Sequence, residues 1–255
     1  MAALKYDVAG RPDGTALLLV HALGADRTMW DRCLSLWSDR WRIVACDLRG
    51  AGETAPPDRH WTPRDHAADL EEVCRELGLD AVVPVGCAIG AVVAALYASW
   101  YPQHVRALVM SEPTLQIGEA SRARISERVA LIRRDGMKAL VPAAIDLAFA
   151  ERPQDERYHE YTRRFLRNDP WGYETMAMGM VGADLTDALA AMDLPGLVVV
   201  GRSDRLFPPE RAHEVHQRLK GSRYVVLEDA AHFPPYQTPE AFAREVADFL
   251  ETHGL

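Results

Sequence analysis

The stretch VVPVGCAIGAVVAALYA, residues 82–98, decides the fold. It opens on apolar, mostly β-branched residues, passes through a tight Gly-Cys-Ala-Ile-Gly run, and continues as a long apolar segment rich in alanine. Such a succession reads as a buried strand, a sharp turn and a buried helix, because β-branched residues suit a pleated surface and alanine favours a helix. The small residues allow helix and strand to approach closely around the turn. In the strand–turn–helix pattern G-x-S-x-G, the central side chain is held above the sheet as a nucleophile. Cys87 is expected as that central residue, flanked by Gly86, Ala88, Ile89 and Gly90, where a serine is usual.

Working outward, the chain alternates strands and helices. ALLLVHA (16–22), RIVACDL (42–48), AVVPVGC (81–87), VRALVMSE (105–112), LVVVGRSD (197–204) and RYVVLED (223–229) read as short buried strands. Between them, TPRDHAADLEEVCRELGL (62–79) and TPEAFAREVADFLETHG (238–254) carry helix start signals and helical apolar spacing. Short apolar strands alternating with helices imply an α/β fold with a mostly parallel sheet covered on both faces. Residues 115–183 break the rhythm with helical stretches and no convincing strand. They are expected to form a helical cap over the sheet, leaving 1–114 and 184–255 as the core. The competing reading is a set of extra helices packed on the sheet edge.

Composition narrows the function classes. The 255 residues carry a formal net charge of −8, which argues against nucleic acid as a partner. There is no long apolar run and no basic apolar leader, so a cytoplasmic protein without a membrane partner is expected. The four cysteines, Cys33, Cys46, Cys74 and Cys87, form no Cys-x-x-Cys pair, so neither a zinc site nor a disulfide framework is expected.

A nucleophile needs a base, and the base needs an orienting acid. His232, in EDAAHFPP, follows a strand and precedes the last helix; Asp204 ends another strand. Glu112 also ends a strand and is the rival acid. LLLVHALGAD places Leu23 to offer a backbone N–H to a developing oxyanion, with the Ala88 N–H as the second donor. Removing one such donor typically costs ~3 kcal/mol of transition-state stabilisation. A helix N-terminus and a nearby imidazole would lower the Cys87 thiol pKa and supply thiolate. Trp171 and Tyr173, in WGYETMAMGM, are candidates for lining a substrate site; they can equally be glue between cap and core. His21 is a tentative substrate contact and more readily a supporting residue. Asp47 reads as fixing the turn after its strand. His60, His66, His104, His159, His213, His216 and His253 read as surface residues, and Cys33, Cys46 and Cys74 as inert core thiols. The arginines of the insert, Arg122, Arg124, Arg128, Arg133, Arg134, Arg163, Arg164 and Arg167, read mostly as a solvated face, one of which could meet a substrate carboxylate.

LLLVHALGADRTMWD, VACDLRGAGET, VGCAIGA, the tract from WGYETMAMGM to VVVGRSD, and EDAAHFPPYQTPEAF fall in the order found in the α/β-hydrolase superfamily, which the chain resembles over its full length. In pattern it is most similar to the 3-oxoadipate enol-lactonase-like group. The resemblance implies an α/β-hydrolase fold with a mostly parallel eight-stranded sheet, flanking helices and a helical cap insertion. It also implies no metal, no cofactor, and hydrolysis of an ester or lactone. The order Cys87, Asp204, His232 matches the nucleophile–acid–histidine order of that superfamily. Two departures stand out: HALG in the oxyanion loop, and the cysteine.

The expected activity is therefore hydrolysis of a small ester or lactone through a Cys87–His232–Asp204 triad and a thioester acyl-enzyme. One alternative passes the acyl group to an acceptor other than water, as an acyltransferase or cyclase. Another is a non-catalytic, ligand-binding member of the fold. A deliberate Ser→Cys exchange would equally account for the thiol.

Overall fold

The computed structural model describes residues 4–255. Its sheet has seven strands: β1 (Lys5–Gly10), β2 (Ala16–Val20), β3 (Arg42–Asp47), β4 (Val82–Cys87), β5 (Leu108–Ser111), β6 (Gly196–Gly201) and β7 (Arg223–Leu227). They lie in the order β1-β3-β2-β4-β5-β6-β7. Only β1 is antiparallel, pairing with β3 from Lys5↔Asp47 to Gly10↔Arg42. The expected eight-stranded sheet is thus corrected to seven strands among the described residues. The inner strands β2, β4 and β6 are buried along their whole length. Parallel strands covered on both faces require this.

The helices are α1 (Asp31–Trp37), α2 (Pro63–Glu76), α3 (Ile89–Trp100), α4 (Glu119–Asp135), α5 (Glu156–Phe165), α6 (Pro170–Gly179), α7 (Thr186–Ala191), α8 (Pro209–Arg218), α9 (Pro234–Gln237) and α10 (Pro239–Thr252). Helix α2 starts on a capping box, in which the Thr62 and Asp65 side chains satisfy each other's backbone N–H groups. His66 sits on its buried face, contrary to the surface position expected of it. Asp47 ends β3 and fixes the next turn as anticipated, accepting from the Arg27 N–H at 2.7 Å and the Glu53 N–H at 2.9 Å.

The chain leaves β2 for β3 on one side and returns to β4 on the other. The winding therefore reverses between β2 and β4, and such a point opens a crevice at the carboxyl ends of the strands. Leu23 follows β2 there, and Ala88 follows β4. Helices α4, α5 and α6 lie between β5 and β6 in sequence. The two ends of this insert are tied side by side, with the Ile117 N–H donating to the Ala183 oxygen at 2.9 Å and the Gly182 N–H to the Ile117 oxygen at 2.8 Å.

Candidate active site

The turn between β4 and α3 has one strained residue. Ala88 adopts φ 53° and ψ −116°, a region that side chains other than glycine rarely enter. Its two glycines are required by close packing. A Cβ on Gly86 would lie 2.3 Å from the Gly90 oxygen, and one on Gly90 would lie 2.3 Å from the Val20 oxygen. The five-residue frame from Gly86 to Gly90 has residue 88 at its centre, and the strained apex of such an elbow carries the reactive side chain.

The expectation for Cys87 is therefore corrected by one position. Side chains alternate between the faces of a strand, and Cys87 is the last residue of β4, fully buried. Its Sγ lies 3.9 Å from the backbone oxygen of His232 and forms no hydrogen bond with the imidazole. It is absent from the cavity wall, which Ala88 helps to line. Burial pushes the Cys87 thiol well above its ordinary pKa, the reverse of the expected activation. An alanine stands at the nucleophile position.

The partner groups are nevertheless assembled. His232, between β7 and α9, meets Asp204, beyond β6, through Nδ1 and Oδ2 at 2.7 Å. A carboxylate can only accept, so Nδ1 carries the proton and Nε2 is left for the cavity, whose wall includes His232. The Leu206 and Phe207 N–H groups hold the Asp204 Oδ1 at 2.8 and 3.0 Å. Burial acts to raise the Asp204 pKa. The charge and hydrogen bond of His232, with the other donors, outweigh it and hold the carboxyl below its ordinary value. Phe207 packs edge-on against the imidazole at 5.2 Å. Glu112 lies beneath this pair, where its Oε1 accepts from the Gly201 N–H.

A cavity of about 310 Å³ opens over Ala88 and His232. Leu23 lines it as expected, and its N–H has no hydrogen-bond partner among the described residues. The Ala88 N–H is not available as the second donor, because it donates to the Ser111 oxygen at 2.8 Å. With residue 88 at the apex, the next N–H along the chain is that of Ile89, which has no hydrogen-bond partner among the described residues at the start of α3; Ile89 also lines the cavity.

The tentative contacts divide. Tyr173 is buried in the cavity wall. Trp171 is outside it, exposed, with Nε1 donating to the Pro57 oxygen at 2.7 Å. It ties α6 to the core. His21 is also outside, with Nδ1 donating to the Ala22 oxygen at 2.8 Å and Nε2 accepting from the Leu48 N–H at 2.9 Å. Both ring nitrogens are used by the frame. Sequence reasoning missed Ile89, Phe233 and Tyr161 in the wall. The Tyr161 hydroxyl is buried without a hydrogen-bond partner, and its ring stacks on Phe233 at 4.5 Å. Arg124 and Arg128, on α4, also line the cavity, and neither has a carboxylate partner among the described residues. Arg128 donates to the Ala143 oxygen at 3.0 Å.

Residues 15–239 match the family model for the alpha/beta hydrolase fold. The chain is 30% identical over 243 residues to a pimeloyl-[acyl-carrier protein] methyl ester esterase of Neisseria meningitidis, covering 91% of this chain and 92% of that one. It is similar to the structure of a thermophilic esterase from Thermogutta terrifontis, with 30% identity, a TM-score of 0.90, and coverage of 98% and 93% of the two chains. The enol-lactonase from Burkholderia xenovorans shares the fold, with 24% identity, a TM-score of 0.91, and coverage of 97% and 96%.

Proposed function

The chain belongs to the alpha/beta hydrolase fold family, and from that premise we propose that it hydrolyses a small ester or lactone by direct attack of water, without an acyl-enzyme. The observation that carries the reading is an alanine at the elbow apex beside an intact His232–Asp204 pair. The Ala88 methyl group leaves room above it where a serine Oγ would project. A water there gives its proton to His232 Nε2 as its oxygen attacks the substrate carbonyl. Asp204 holds the imidazole in the required tautomer and stabilises its positive charge. The Leu23 and Ile89 N–H groups receive the oxyanion. Collapse of the tetrahedral species breaks the acyl–oxygen bond, and His232 returns the proton to the leaving oxygen. No metal or cofactor takes part in these steps.

The insert of residues 115–183 acts as the cap, and the side chains that α4, α5 and the end of α6 turn to the cavity choose the substrate. Apolar residues such as Ile125, Phe165 and Met180 suit a hydrocarbon body. The unneutralised guanidinium groups of Arg124 and Arg128 suit a carboxylate at its far end. The acyltransferase reading loses its support, since no side chain at the apex can carry the acyl group.

Ala88 also favours a second reading, a ligand-binding member of the fold that has lost turnover. Incubation with a panel of carboxylate-bearing esters and lactones in oxygen-18 water separates the two. Direct hydrolysis yields labelled acid, no covalent adduct by intact mass, and turnover abolished by His232→Ala. Saturable binding without product selects the second reading. An acyl adduct on any side chain of the native protein refutes the mechanism.

A further inference from the structure

Glu112 is a buried carboxyl that the reaction above does not use. It follows β5 with φ 52°, a left-handed conformation unusual for glutamate, so its direction is imposed by the backbone. Its N–H donates to the Val199 oxygen at 2.9 Å, and its Oε1 accepts from the Gly201 N–H. Its Oε2 is buried with no donor directed at it. Carboxyl oxygens of Glu112 and Asp204 and a ring nitrogen of His232 all lie within 4.8 Å of one another. The other titratable groups bearing on Glu112 are Cys87, at the end of β4, and Tyr224, on β7. No Lys or Arg pairs with it among the described residues. Two ionised carboxylates sharing a dry site with one imidazole would repel at close range, and such pairs resolve this by retaining a proton.

We propose that Glu112 is a neutral carboxylic acid whose Oε2–H donates a hydrogen bond to the Asp204 carboxylate, making it the positioning residue for the acceptor of His232. The orphaned oxygen then becomes a donor, and every polar atom of Glu112 is satisfied. Asp204 receives bonds from His232, from the Leu206 and Phe207 N–H groups, and from below. That set keeps it ionised and fixed in orientation. Burial first, then the Asp204 charge and the hydrogen bond to it, raise the Glu112 pKa well above the ordinary glutamate range, in accord with this arrangement. The inference concerns the protonation of the pair and stands apart from the reaction proposed above.

Infrared difference spectroscopy of the full chain at neutral pH, wild type minus Glu112→Gln, provides the test. A carbonyl band of a protonated carboxylic acid, shifted in heavy water and absent from the variant, is expected. Its absence overturns the proposal, whether Glu112 is then an ionised carboxylate or shares a cation with Asp204. The low-field proton resonance of His232 Nδ1–H gives a readout that simple packing would not move. Glutamine keeps both an acceptor for Gly201 and a donor for Asp204, so Glu112→Gln should retain the resonance over the wild-type pH range. Glu112→Leu should lose it at a proton concentration at least tenfold lower. Equal behaviour of Gln and Leu overturns the proposal. If the Leu variant does not fold, the infrared band still decides.

Discussion

Ala88→Ser restores a hydroxyl at the elbow apex, and the structure sets what it should do. Ala88 already occupies the strained region, which costs a residue other than glycine about 1–3 kcal/mol. That cost is present before and after the change, and the new oxygen points at open cavity. Stability should therefore change by no more than about 0.5 kcal/mol. In a serine triad, losing the nucleophile lowers kcat by about 10⁶-fold, which bounds the gain from restoring one. With His232 and the Leu23 and Ile89 donors in place, a rise of at least roughly 10²-fold is expected on an activated ester such as p-nitrophenyl butyrate. A fluorophosphonate should then add to the introduced hydroxyl in the variant and to nothing in the parent, read by intact mass and peptide mapping. A folded variant with no adduct and no gain would refute the placement of residue 88 within reach of His232. A parent adduct on Cys87 would reinstate the thiol as nucleophile.

Three further outcomes follow from the geometry. Cys87→Ala should leave turnover within twofold and lower stability by about 1 kcal/mol, seen in a denaturant titration, because the thiol only fills core space. His66 is held neutral by burial, with its pKa pushed down to about 4 from an ordinary 6.5. Its folded pKa lies below its unfolded one, so stability is present above pH 6.5 and lost as pH falls toward 4, by roughly 3 kcal/mol in all. His66→Leu should flatten that acid limb in melting curves taken at successive pH values, and an unchanged limb would place the loss elsewhere. Trp171→Ala should lower the melting temperature while leaving the ranking of ligands by size unaltered, since the indole lies outside the cavity.

The strands were legible because each inner one is a short apolar run, the form a doubly covered parallel strand must take. β1 was not, since it is an edge strand with Tyr6 only half-buried and Val8 exposed. Asp204 and His232 were legible because turn residues mark the strand ends that carry them. The elbow was legible as a turn, and its register was legible too: counting G-x-x-x-G from Gly86 to Gly90 puts residue 88 at the centre. Cys87 drew the assignment as the more reactive residue of the Cys-Ala pair, and the positive φ at Ala88 agrees with the count. The proposed oxyanion donor follows that register, because the Ala88 N–H is taken by the Ser111 oxygen and the Ile89 N–H is the next along the chain. His66 had a signal that was passed over, since it shares a helical stripe with Leu70, Val73 and Cys74. The pairing of Glu112 with Asp204 joins groups far apart in the chain and depends on a left-handed backbone that no residue type announces.

The hydrogen bonds between Ile117 and Ala183, and between Gly182 and Ile117, set where the insert departs and returns. Chain enters and leaves this point at nearly one place, so the rest of the protein senses the insert as a closed loop. The entropic cost of closing a loop rises only with the logarithm of its length. Length alone is therefore no bar to grafting another helical segment across this junction, but the graft has to keep one internal contact: the Ala148 oxygen of the insert accepts from the His232 N–H at 3.1 Å and from the Gln237 side chain at 2.9 Å. On the reading proposed above, a segment that preserves this acceptor exchanges one ligand preference for another while the His232–Asp204 pair keeps its position.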